Sequence, residues 1–425
     1  MSLLPEISSF FTNSWMPEVT PLMTAISMNN VNNLGLNKNI INENPYLFNN
    51  ELVNKNLPIT NQRSSGRCWL FASCNLIRSV SYPTLTEKYG EIDGFELSQN
   101  YLFFWDKLER YHSTLRYYVD INTNKTDNLD RYNYQLLQDP MGDGGQWDMA
   151  KDIIKKYGLV PKSVYPDTHH SINTRNMNKV LTTQLKSDIN ELKKVLNEPC
   201  VNDMINTMVK KVFKILISYL GKPPDNFSWT FKTGKDKIVT EKSLTPLKFL
   251  EILNFKPDEW VSVINDPRKI NKYNQYYKVK YLGNVFDNHV GWLNLDMDRL
   301  IDMTKKSIDA KTPVWFGCDM GAETDSKSGV KDIGIIDLDG ILGTNIKMNK
   351  EEQLSTYSSL PSHAMMISGY HEDINKIVRW KVENSWGKDS GKEGYILMTN
   401  EWMKEYVYQI LVKKELLLEN ELIIV

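Results

Sequence analysis

Apolar positions recur at helical spacing through the first two thirds of the chain and in short strand-like runs through the last third. From about Cys68 to Tyr89 the residues are mostly apolar, with no proline before Pro83, and the part up to about Val80 predicts a buried helix. Aromatic and charged residues interleave over 95–117, which predicts a second, amphipathic helix. A glycine-rich stretch, Met141 to Trp147, predicts a tight loop ahead of a helix at about 147–157. Leu185, Ile189, Leu192 and Leu196 share one helical face, as do Met204, Met208, Val212 and Leu216. We read about 168–275 as a helical insertion, ended by a charged, loop-like stretch around Pro257 and Pro267.

The period then shortens. Residues 312–317, 364–370, 378–383 and 394–398 read as strands. Helices first and antiparallel strands later predict an α+β fold packed as two halves. The expected parts are an Asn-rich N-terminal extension (1–57), a helical half (58–167), the helical insertion (168–275), a β half (276–410) and a tail (411–425). No internal repeat is visible.

Composition narrows the function classes without choosing one. A net charge of −1 gives no whole-protein attraction to nucleic acid or to an anionic membrane. The cysteines, at 68, 74, 200 and 318, are too scattered for a disulfide framework and form no CxxC or Cys/His cluster, so no metal is expected. His169-His170 lacks a third ligand at suitable spacing and reads as loop. There is no P-loop, no GxGxxG after a strand and no apolar run long enough to span a membrane. Without a basic n-region before an apolar stretch at the N-terminus, a soluble protein in the reducing cytoplasm is expected, with no organic cofactor.

A lone cysteine is more often inert core than reactive. Cys68 differs in its surroundings: the polar loop Asn61 to Arg67 precedes it and the apolar run Trp69 to Ala72 follows. A thiol where a loop meets a helix N-terminus lies in the positive end of the helix dipole, which favours the thiolate. Gln62 can offer an amide donor and the Cys68 N–H a second one to a developing oxyanion, with Gly66 letting the loop turn between them. Cys74, Cys200 and Cys318 read as core.

Gln62 to Trp69 resembles the nucleophile signature of the papain superfamily, in the form found in bleomycin hydrolases and bacterial aminopeptidases C. Phe95 to Lys107 is similar to that family's second core helix, and Asp143 to Met149 to its substrate-cleft glycine loop. Ser362-His363-Ala364-Met365 and Glu383-Asn384-Ser385-Trp386-Gly387 are similar to its histidine and asparagine motifs. The resemblance spans roughly residues 58–410 and implies a papain-like cysteine peptidase with Gly144 and Gly145 at the substrate. His363 opens an apolar strand, and Asn384 can accept from one ring nitrogen and leave the other facing Cys68. Trp386 and Trp380 are expected to keep water off that pair.

In papain and cathepsins the His and Asn follow the Cys by about 130–150 residues. Here His363 lies 295 residues after Cys68, so on the order of 150 residues are inserted, which favours the bleomycin hydrolase branch. That branch implies a hexameric ring with sites facing an inner channel, trimming peptides as an aminopeptidase. Residues 205–248 carry nine Lys, no Arg and three acids, a nucleic-acid-facing wall in some members. Without Arg and with little aromatic interleaving, an ordinary solvated face is the better reading. The family's C-terminal arm receives the substrate amine in the cleft, but only 17 residues follow Tyr408 here. A papain-like endopeptidase is therefore the alternative to an aminopeptidase, and a nucleic-acid-binding ring the second.

Overall fold

The computed structural model describes residues 16–52, 55–124, 129–234 and 236–425. Helix α1 (Cys68–Tyr89) is buried along most of its length, as an apolar run without a polar stripe requires. It continues past the expected end near Val80. Pro83 faces solvent while Ser81, Tyr82 and Leu85 around it are buried, so packing outweighs the backbone bond that Pro cannot make. Helix α2 (Gln99–Thr123) starts where Ser98 accepts the Tyr101 N–H on its hydroxyl, and α3 (Leu129–Gln138) and α4 (Trp147–Tyr157) follow.

Residues 168–275 are not helical throughout. His169–Ile172 is one helical turn rather than loop, and α5 (Arg175–Leu192) and α6 (Val201–Leu220) follow. A hairpin then forms from β2 (Phe227–Thr233) and β3 (Lys237–Leu244), and β4 (Trp260–Ile264) enters the large sheet. Phe227, Trp229 and Thr233 are buried at strand spacing among exposed neighbours, a period-2 signal within a lysine-rich stretch. Helices α5 and α6 do not form a core of their own. Leu181, Leu185, Ile189, Met208, Val212 and Leu216 pack in the same cluster as Trp69, Leu102 and Ile153 of the nucleophile half.

Among the described residues the large sheet has the strand order β5 (Gln275–Lys278), β6 (Gly291–Asn294), β4, β13 (Val407–Lys413), β7 (Val314–Cys318), β10 (His363–Asp373), β11 (Lys376–Glu383), β12 (Tyr395–Thr399), β9 (Val330–Lys331), β8 (Thr324–Asp325). Strand β1 (Asn50–Glu51) adds to β10. Pairing is antiparallel except at β4–β6 and β12–β9, so the β half is mixed at its flanks. Successive residues point to opposite faces. Trp315, Ala364, Met366 and Leu411 face α1, while Val314, Phe316, Met365, Ile367 and Ile410 build a second core behind the sheet. Helix α7 (Met297–Asp309) lies against that second core. The cleft lies where α1 meets the first face.

The closing residues do not lie in the cleft. Strand β13 starts at Val407, opposite Cys318, and runs away from it. Lys413, about 20 Å further along, pairs with Trp260. Beyond it Arg299 of α7 holds Glu421 at 2.9 Å, and Ile424 and Val425 pack on the second core.

Candidate active site

The nucleophile loop, β7, β10 and the glycine loop meet at one end of α1. Cys68 is the first helical residue, after Arg67 at the N-cap. Arg67 is fully buried: it donates to Ser65 Oγ at 3.0 Å, pairs with Asp167 at 3.0 Å and lies over Phe71 and Phe103. The loop therefore reaches the helix in one fixed conformation. Trp315 donates its indole N–H to the Trp69 carbonyl at 3.2 Å, which joins the helix start to β7.

His363 opens β10 opposite Cys318. Its Nε2 lies 2.9 Å from Asn384 Oδ1, and that same oxygen accepts the Ser385 N–H at 2.8 Å. A backbone N–H can only donate, so the oxygen is identified as an acceptor and His363 Nε2 must carry the proton. The Nδ1 lone pair is left free for the cleft. Trp386 packs beside the ring, centroids 4.9 Å apart, and is itself 40% exposed, so it forms a lid between the pair and solvent. Trp380 does not share that task. It is fully buried behind the sheet against Tyr370 and donates to Asn400, because strand alternation turns it to the second core.

Cys68 and His363 line one cavity, and the nearby N–H groups of Ala364, Trp69 and Cys68 favour the Cys68 thiolate. Burial pushes this thiol up, and those N–H groups oppose the shift without reversing it. The expected lowering at a helix start is thus outweighed by desolvation. Burial also lowers His363 to about 4, against the Asn384 hydrogen bond. Burial thus favours the uncharged form of each group taken singly.

Gln62 is buried, with its amide held at both ends. Ser385 Oγ donates to Oε1 at 2.7 Å, and Nε2 donates to the Ser65 carbonyl at 2.7 Å. One N–H of that amide remains for a ligand. Ser385 stands inside the asparagine motif, but nothing in its type signalled that it orients Gln62.

Gly144 and Gly145 line the same cavity as Cys68 and His363, a cleft of about 270 Å³ that also touches Arg110, Gln146, Met149, Leu282, Trp315 and Gln409. A Cβ on Gly145 would stand 2.6 Å from the Trp69 ring, whereas one on Gly144 would meet nothing. Gly145 thus lets the loop approach the helix start, and Gly144 leaves backbone exposed at the cleft. Arg110 donates to the Gly144 carbonyl at 2.8 Å. Arg110, Met149 and Leu282 also line an adjoining cavity of about 480 Å³. No group of three or more His, Cys, Asp or Glu side chains suited to a metal occurs among the described residues.

A half-buried thiol at a helix start shares one cavity with an imidazole held by an asparagine amide, the arrangement expected of a papain-type site. The chain belongs to the Peptidase C1-like family, whose model matches residues 6–425. It is 38% identical over 371 residues to bleomycin hydrolase of Mus musculus, covering 84% of this chain and 80% of that protein. It is equally 38% identical over 370 residues to aminopeptidase C of Lactococcus lactis subsp. lactis (strain IL1403), covering 86% and 82%. The crystal structure of PepW from Lactobacillus rhamnosis HN001 superposes with a TM-score of 0.91 at 31% identity, covering 99% of this chain and 93% of that one.

Proposed function

We propose that this chain is a papain-like cysteine peptidase that removes N-terminal residues from peptides. The observation that carries the reading is the fixed tautomer of His363, whose free Nδ1 faces a cleft shared with Cys68. In this reading His363 takes the Cys68 proton as sulfur attacks the scissile carbonyl. Gln62 Nε2 and the Cys68 N–H receive the oxyanion. His363 then protonates the leaving amine, and water that it activates hydrolyses the thioester. Relatives named bleomycin hydrolase and aminopeptidase C support the N-terminal specificity. Hydrolysis of a free-amine aminoacyl coumarin amide tests it: the wild type should cut it faster than the N-acetyl form, and Cys68→Ala should cut neither. Undiminished turnover by Cys68→Ala would overturn the assignment.

A second reading, cleavage within longer peptides, has one observation in its favour. Among the described residues no carboxylate lines the cavity beside Cys68 to meet a substrate ammonium, and a second cavity adjoins it at Arg110. Peptides with several blocked residues ahead of the bond separate the two readings.

We read the working compartment as the cytoplasm, supported by four free cysteines, and the assembly as a hexameric ring on the family resemblance. No described helix is long and apolar enough to cross a membrane. Nucleic-acid binding has less support: Lys211, Lys222 and Lys232 of the basic stretch already stand near acids, Asp188, Asp225 and Asp236.

A further inference from the structure

The carboxylate of Asp143, just ahead of Gly144, holds four donors from three parts of the chain. Oδ2 accepts the Gly66 N–H at 2.9 Å and the Thr174 hydroxyl at 2.5 Å. Oδ1 accepts from Asn178 at 2.6 Å and pairs with Lys107 at 2.9 Å. The Asp143 carbonyl accepts the Trp69 indole N–H at 2.7 Å. Gly66 lies two residues before Cys68 and Trp69 one residue after it, so both flanks of the nucleophile are tied to one residue of the cleft wall.

The fit is tight. A Cβ on Gly66 would stand 2.8 Å from Asp143 Cβ, so only glycine allows this approach. Lys107 is fully buried, and besides Asp143 it donates to the Met141 and Gly142 carbonyls at 2.7 and 2.9 Å. Burial alone would raise the Asp143 carboxyl, but Lys107 and the hydrogen bonds from Thr174, Asn178 and Gly66 hold it well below the usual carboxylate range. Thr174 and Asn178 sit at the start of α5, and Ser64 N–H donates to the Ile172 carbonyl at 3.0 Å. The first turn of the helical excursion is thereby part of the scaffold that sets the nucleophile loop.

We propose that Asp143 is a positioning residue for the reaction: it fixes the Cys68 N–H, one of the two oxyanion donors, against the Gly144–Gly145 wall that carries the substrate. The inference rests on the acyl-transfer reading of the site. Its energetic basis is preorganisation, since displacement by about 1 Å at a reacting centre can cost on the order of 100-fold in rate. The rival role is charge neutralisation of Lys107 alone.

Asp143→Asn and the double variant Lys107→Met/Asp143→Asn separate the two roles, the latter leaving no buried ammonium unpaired. Both should lose about 10- to 100-fold in kcat on the aminoacyl amide. Alkylation of Cys68 by iodoacetamide, followed by mass spectrometry, needs thiol and imidazole but no oxyanion donors, and should stay within about threefold of wild type. If Asp143→Asn alone fails to fold, the double variant decides. Wild-type kcat in either variant would overturn the proposal, as would equal losses in alkylation and turnover. An inactive wild type would instead overturn the peptidase reading itself.

Discussion

At the scale of single residues, orientation matters as much as identity. Ser385 donates to Gln62 Oε1, which fixes which end of the amide is oxygen and leaves Nε2 as the donor. Removing an oxyanion donor outright costs on the order of 100- to 1,000-fold, so releasing one from its orienting partner in Ser385→Ala should cost about tenfold in kcat, with little change in KM. Steady-state kinetics check this, and an unchanged kcat would mean that Ser65 alone orients the amide. His363 gives a pH prediction. Its folded pKa lies below the ordinary histidine value, so the neutral base persists as pH falls and is lost only near pH 4. The acid limb of kcat/KM should therefore fall near 4, and a limb near 6.5 would contradict the buried neutral imidazole. The proximity of Cys68, His363 and Asn384 was legible because each stands in a motif whose proposed chemistry needs that residue type. Trp380 was misplaced because a tryptophan three positions before a motif carries no sign of which sheet face it takes.

At the scale of elements, close approach explains what side-chain chemistry does not. Gly145 lets the cleft loop lie on Trp69, so Gly145→Ala must push the loop or the indole aside. We expect a loss of about 1–3 kcal/mol in stability and a raised KM, measured by denaturant unfolding and kinetics. Unaltered KM would show that the loop yields freely. Helix α1 and the strands β7, β10, β11 and β12 were legible from apolar runs bounded by turns. The β2–β3 hairpin was not, because its alternation of buried aromatics and exposed polar residues lies in a stretch dominated by lysines. Strand β4 was hidden for a different reason. Its few apolar residues follow Pro257, and joining a sheet built mostly by later residues is a tertiary event.

At the scale of the whole molecule, the excursion through α5 and α6 shares its core with the nucleophile half. Two consequences follow from that shared packing. Leu185→Ala, at a fully buried position in α5, should cost about 2–5 kcal/mol. It should also lower the unfolding of α1 and α5 together, in one transition, as hydrogen exchange would show. Separate melting of 175–220 would contradict a common core. The halves of the fold were legible from the change of apolar period, whereas this sharing was not, since periodicity shows which face is apolar but not what it meets.

In the proposed mechanism the Cys68 sulfur is the attacking atom. The most direct test is to titrate the enzyme with a thiol alkylator, map occupancy at each cysteine by mass spectrometry, and follow hydrolysis of the aminoacyl amide alongside. Activity should fall in proportion to occupancy of Cys68, irrespective of modification at Cys200, which is exposed rather than core as its sequence suggested. Activity that survives full alkylation of Cys68 would contradict it.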